Sequence, residues 1–210
     1  MSNFRDWTSS KLEKRFGLKR RLNSVLLAKW LNEPCVLSHF ELASLDHLRQ
    51  LLNKNADAWN EQELSMQFIG PIFSLVDFTE FGKFNLFAGR PLSGIVDNEE
   101  LFGNPDGIIA SGWLEPEMPY FCLHEYKKEV DPSGDPISQC LSAMLVAQAL
   151  NSNEKPIYGC VVIGRNWRFL LLEGSIYSIS DVFVATQKEI RDILRILKVL
   201  RQYIQNEVIL

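Results

Sequence analysis

The chain has 210 residues, of which 46% are hydrophobic and 23% charged, and its formal net charge is −4. That is enough apolar material for one sizeable core, and with no repeat or low-complexity segment it excludes fibrous and disordered classes. No apolar stretch is long enough to span a bilayer and the N-terminus lacks a hydrophobic signal core, which implies a cytoplasmic protein with no membrane partner.

Residues 1–21 carry seven basic side chains (Arg5, Lys11, Lys14, Arg15, Lys19, Arg20 and Arg21) against Asp6 and Glu13. This local excess of five leaves −9 on the rest of the chain. A basic extension can hold a phosphate backbone. Equally, Lys19-Arg20-Arg21 precedes an amphipathic helix expected to turn Leu22, Val25, Leu26 and Trp30 inward, which makes the charges a solvated face. Residues 1–56 read as an N-terminal helical extension packed on a core spanning 57–210.

From Asn60 to Val76 the period is helical, with Leu64, Phe68, Ile72 and Leu75 on one stripe and Glu61 inside it. Asn60-x-x-Glu63 has the spacing of a capping box, which explains Glu63 without invoking function. Phe84 to Val96 reads as a strand interrupted at Gly89 and Pro91, turning at Asp97-Asn98 into Leu101-Phe102-Gly103.

Asn104-Pro105-Asp106-Gly107-Ile108-Ile109 and Leu123-His124-Glu125-Tyr126-Lys127 read as two strands. They flank a Gly- and Pro-marked turn, so they form a hairpin. Asp106 and Glu125 are almost equidistant from the middle of that turn, and antiparallel pairing sets them side by side. Alternation sends Leu123, Glu125 and Lys127 to one face, and Cys122, His124 and Tyr126 to the other. Two carboxylates at such a distance repel unless a cation sits between them. Oxygen-only ligation suits Mg²⁺ or Mn²⁺, and Lys127 adds charge without competing as a ligand.

Asp135-Pro136 marks a helix start, with Asp as N-cap and Pro at the first helical position, and the helix should run to about Leu150. Gln139 shares a face with Ala143, Val146 and Leu150. Ile157–Gly164 is an apolar run suited to a strand covered on both faces, and Trp167–Glu173 is its hairpin partner. Arg165, Asn166 and Arg168 around that turn form a second candidate phosphate contact. Thr186-x-x-Glu189 has capping-box spacing before a C-terminal helix carrying Ile190, Ile193, Leu194, Leu197, Leu200 and Ile204. Cys35, Cys122, Cys140 and Cys160 read as reduced, mostly buried thiols, and the histidine spacing argues against zinc.

The Pro-Asp followed by Glu-x-Lys resembles the signature of the PD-(D/E)XK nuclease superfamily. The order of elements from about Asn60 to Gly174 is similar to its restriction-endonuclease-like core, α-β-β-β-α-β, a mixed, bent sheet flanked by helices. The N-terminal nuclease module of type I restriction subunits is the nearest likeness. The resemblance implies an α/β (α+β) fold with helical extensions at both ends and a Mg²⁺- or Mn²⁺-dependent deoxyribonuclease. Asp106, Glu125 and the Tyr126 backbone carbonyl would hold the metal, and Lys127 would be catalytic. Glu61 would be an additional metal or water ligand and Gln139 a supporting active-site residue. The local alternatives are a first-turn carboxylate favoured by the helix dipole for Glu61 and a solvated first-turn amide for Gln139. The implied partner is nucleic acid, DNA rather than RNA, read by a homodimer or a separate specificity subunit. A scaffold or binding subunit that keeps the nuclease fold and needs a partner is the alternative function. A purely structural domain would make Glu125-x-Lys127 an exposed ion pair of under about 1 kcal/mol.

Overall fold

A computed structural model describes residues 1–130 and 134–209, with side chains through residue 207. The chain is a mixed α/β protein whose mixed sheet is flanked by helices. Its elements in order are β1 (Ser2–Asn3), α1 (Ser9–Phe16), β2 (Lys19–Arg20), α2 (Val25–Asn32), α3 (His39–Asn55), α4 (Glu61–Leu64) and α5 (Gly70–Val76). Strands β3 (Asn85–Ala88), β4 (Leu92–Val96), β5 (Glu99–Gly103), β6 (Gly107–Ser111) and β7 (Glu117–Lys127) follow. The chain continues through α6 (Pro136–Asn151), β8 (Ile157–Ile163), β9 (Asn166–Glu173), β10 (Ile176–Ile179), β11 (Phe183–Val184) and α7 (Ile190–Ile209). No helix among the described residues is long and apolar enough to cross a membrane.

The large sheet has the order β2-β10-β9-β8-β7-β6-β3, with β11 on β9. β7 and β8 are parallel and joined through α6, while β6–β7 and β8–β9 are antiparallel. Residues 121–127 of β7 are all buried, because both faces of the sheet are covered. On one face, α2, α3, α4, α5 and α7 supply Trp30, Leu52, Leu64, Phe73 and Leu197 to a core with Trp167 and Phe169. On the other, α6 meets Leu123, Ile108 and Val161 and packs beneath the small sheet β1-β5-β4. An apolar helix sandwiched in this way has no polar stripe, and residues 138–147 of α6 are all buried.

The residues 84–96 expected as one interrupted strand are two strands in different sheets. Gly89, at φ 60°, and Pro91 break the ladder and let the chain leave the large sheet. Asp97 and Asn98, both at positive φ, make the tight turn between β4 and β5.

The helix at 61–76 opens with the expected capping box: Glu63 N–H donates to Asn60 Oδ1 and Asn60 N–H to Glu63 Oε2, both at 2.9 Å. Between α4 and α5, residues Ser65–Ile69 widen into a π-helical turn, with Gly70 N–H bonded to the Ser65 carbonyl. Pro71 has no N–H to give and its ring would collide with the carbonyl four residues back, so the helix takes an extra residue. The added residue rotates the later stripe, and Phe73 and Val76 are buried where Leu75 was expected.

Two other local expectations fail. Leu22, ahead of α2, and Val25 and Leu26 within it are exposed while Leu27 and Trp30 face the core, because α2 is docked by Trp30 donating to the Ile196 carbonyl at 3.0 Å. Thr186-x-x-Glu189 forms no capping box: those residues make successive turns and α7 begins at Ile190. The N-terminal residues also enter both sheets, β1 parallel to β5 and β2 parallel to β10.

Candidate active site

The β6–β7 register pairs Gly107 with His124, and the Asp106 N–H continues the ladder to the His124 carbonyl at 3.1 Å. Asp106 therefore stands opposite Glu125, one residue before β6 begins. Its side chain takes the place of a ladder carbonyl: Tyr126 N–H donates to Asp106 Oδ2 at 2.6 Å. Alternation holds along β7. Leu123 enters the core on the α6 side, whereas Cys122 and Tyr126 belong to the opposite core.

Asp106, Glu125 and Gln139 line one cavity of about 400 Å³, together with Asn3, Arg5 and Asn104. Asp106 also borders a second cavity, of about 440 Å³, walled by Ser65, Gly70 and Phe73 from the π-widened helix. Lys127 lies beneath the first cavity, its Nζ donating to Glu125 Oε1 at 2.6 Å and to the Tyr126 carbonyl at 3.2 Å. Glu125 and Lys127 are 6% and 3% exposed, so this is a buried ion pair and not a solvated one.

The electrostatics are those of a site short of positive charge. Burial, and then the charge of Asp106, push Glu125 up to about 7 despite the Lys127 ammonium. Burial, with Glu61 adding to it, raises Asp106 above the usual carboxylate range against the pull of the Tyr126 N–H and Lys127. The oxygens that could hold a hard divalent cation are the second oxygen of each carboxylate and the Tyr126 carbonyl. Mg²⁺ is commonly held by one or two carboxylates while keeping several waters. No group of three or more His, Cys, Asp or Glu side chains able to hold a metal occurs among the described residues. Glu61 is thus near enough to be felt by Asp106 but does not join Asp106 and Glu125 as a third clustered carboxylate.

Gln139 is 5% exposed, so the solvated alternative does not hold. Asp135 caps α6 by accepting from Ser138 N–H at 3.1 Å and so aims the first turn at the site. Gly134, at φ 72°, leaves room for the amide, since a Cβ there would stand 2.7 Å from Gln139 Nε2. His124 points away, its Nδ1 sharing a 3.1 Å hydrogen bond with the Tyr126 hydroxyl and its ring against Phe73. Arg165 pairs with Asp57 and Glu129, and Arg168 donates to the Ser180 carbonyl, so both are committed to structure. Cys122, Cys140 and Cys160 are buried free thiols and Cys35 is half-buried.

Arg5 was read only as one of seven basic residues in an extension able to hold a phosphate backbone, and its place at this cavity was not foreseen. The pairing of β1 with β5 brings it to the cavity, and a two-residue strand has no readable pattern. No model of a known protein family matches this chain, and no curated protein matches it.

Proposed function

We propose that this chain is a divalent-metal-dependent nuclease of the PD-(D/E)XK kind, hydrolysing phosphodiester bonds in DNA rather than RNA. One observation carries the reading. Asp106, just before β6, borders the same cavity as Glu125, and Glu125 is bound to Lys127 inside the protein. Keeping a second carboxylate beside a buried ion pair is unfavourable for folding, and a metal-dependent reaction gives that arrangement a use. The order of elements lends support: the helix at 61–76, then β3, β6 and β7, then α6 and β8, with β3-β6-β7-β8 adjacent in one sheet. With β4 and β5 set aside in the small sheet, that order is compatible with the α-β-β-β-α-β succession of the restriction-endonuclease-like core.

A Mg²⁺ or Mn²⁺ ion held by Asp106, Glu125 and the Tyr126 carbonyl would polarise the phosphoryl oxygen and acidify a water. The chain's own groups do the positioning. Tyr126 N–H fixes the Asp106 carboxylate through one of its oxygens. Lys127 stands beside Glu125, where its ammonium orients the attacking water and offsets negative charge on the phosphate. Gln139, rigid in the first turn of α6, presents an amide to the same space, and Glu61 contributes through water.

The scaffold alternative is favoured by one observation, the near-complete enclosure of Glu125 and Lys127. An enclosed site would open only with a partner, such as a specificity subunit or a second copy of the chain. The deciding experiment is cleavage of linear, circular and single-stranded DNA and RNA with Mg²⁺ or Mn²⁺, alongside Lys127→Ala. Metal-dependent cutting that Lys127→Ala abolishes supports the nuclease. Cutting unaffected by that substitution sinks it, and inactivity on every substrate favours the scaffold.

A further inference from the structure

The N-terminal six residues are tied down at several points. Ser2 and Asn3 pair with Leu101 and Phe102 of β5, and Ser2 Oγ donates to Glu99 Oε1 at 3.1 Å. The turn at 4–6 is closed from both sides, Arg5 N–H to Asn3 Oδ1 at 3.0 Å and Asn3 N–H to Asp6 Oδ2 at 2.9 Å. Phe4 is 4% exposed and lies so close to Gly103 that a Cβ there would stand 2.4 Å from its ring. Lys11 Nζ adds a 2.9 Å bond to the Asp6 carbonyl.

This bracing holds Arg5 at the mouth of the cavity bordered by Asp106, Glu125 and Gln139. Nearby cations are engaged: Arg15 reaches the Asp97 carbonyl and Glu99, and Lys11 reaches Asp6. Arg5 is exposed and, among the described residues, makes no ion pair within 4.0 Å. It borders the same cavity as Asp106 and Glu125, yet it is bonded to neither. A guanidinium serving only as a counter-ion would close onto a carboxylate. One held clear of it keeps its forked donors free for an anion that comes from outside.

We infer that Arg5 is a substrate-binding residue, its guanidinium taking the non-bridging oxygens of a nucleic-acid backbone phosphate at the cavity mouth, so that the N-terminal strap is part of the DNA-binding surface. The inference rests on the nuclease reading and specifies how that site takes its substrate.

The test is equilibrium binding of a short fluorescein-labelled DNA duplex by anisotropy over a series of KCl concentrations in EDTA, with Mg²⁺-dependent cleavage measured in parallel. Arg5→Ala should weaken binding about tenfold, the effect of losing a hydrogen bond between charged groups. It should also flatten the plot of log affinity against log salt by about 0.9, the signature of one lost phosphate contact. Arg5→Lys should recover the slope without the full affinity. Should Arg5→Ala fold poorly, Arg5→Gln removes the same charge and carries the same expectation. Unchanged affinity and slope in Arg5→Ala, with a parent protein that binds and cuts, overturn the role of Arg5 and leave the nuclease standing. A parent that neither binds nor cuts duplex or single strands removes both.

Discussion

The backbone N–H of Tyr126 and the carboxylate of Asp106 are joined by a 2.6 Å hydrogen bond. Tyr126 lies between Glu125 and Lys127, so the strand that carries two of the charged groups also orients the third. Any shift of β7 against β6 disturbs all three together.

Asp106→Asn keeps an acceptor for Tyr126 N–H and removes the charge that repels Glu125. Metal-free thermal stability should hold or rise. The melting shift induced by Mn²⁺ should disappear and cleavage should fall at least about 100-fold, as charge stabilisation worth several kcal/mol is lost. Paired melting curves with and without Mn²⁺ check this. A variant that keeps its metal response rules Asp106 out as a ligand.

The pH dependence of stability has two opposing contributions. Glu125, pushed up to about 7, keeps a proton that the unfolded chain has released. Its contribution is full below its ordinary value of 4.5 and is lost as pH rises through about 7. His124, held by burial at about 3, refuses a proton that the unfolded chain accepts below 6.5, so stability falls as pH drops from 6.5 toward 3. Glu125→Gln removes only the first contribution. Its metal-free melting temperature should therefore fall more steeply than the parent's as pH is lowered from 6.5 to 4.5. Parallel curves for the two proteins would contradict the raised value of Glu125.

Lys127→Met fills similar volume but leaves Glu125 buried without its cation. The cost should be about 3 kcal/mol, smaller at acidic pH, where Glu125 takes up a proton, and larger above pH 7. Denaturant titrations at acidic and alkaline pH measure the difference, and cleavage should be lost at both. If stability is unchanged at either pH, the pair is not coupled as its 2.6 Å separation requires.

Gly103→Ala places a methyl group 2.4 Å from Phe4 Cδ2 and 2.8 Å from its Cγ. The ring must leave, at about 1–3 kcal/mol for overpacking, and the strap should loosen with it. Hydrogen exchange of residues 2–6 should quicken while that of β7 is unchanged. Protection of the strap equal to the parent's would mean that Phe4 does not anchor it.

Much of this was legible in the chain, and for local reasons. Alternation along Leu123-His124-Glu125-Tyr126-Lys127 follows from strand geometry alone, and the Asn60 and Asp135 caps need only residues three positions away. The hairpin that opposes Asp106 to Glu125 was legible from the turn between them, but the register shifts at Ile109/Ala110 and Ala110/Ser111, which lie between that turn and the pair, were not. What failed depended on distant surroundings. The inward face of α2 was set by where Trp30 could reach α7, and the break at Gly89 by a second sheet that no local pattern announces. The π-turn lies between these cases, because Gly70-Pro71 was a visible warning that the helical count would slip.

By itself the sequence determined which side chains share a face and where the helices near the site begin, since those relations are written in backbone periodicity and short-range hydrogen bonds. Only the tertiary structure decided that Glu125 and Lys127 are sealed from water, that Glu61 stands apart from the other two carboxylates, and that Arg5 reaches the cavity. Burial and long-range pairing depend on which surfaces close over one another when the whole chain packs, and residues far apart in sequence carry no mutual signal of that outcome.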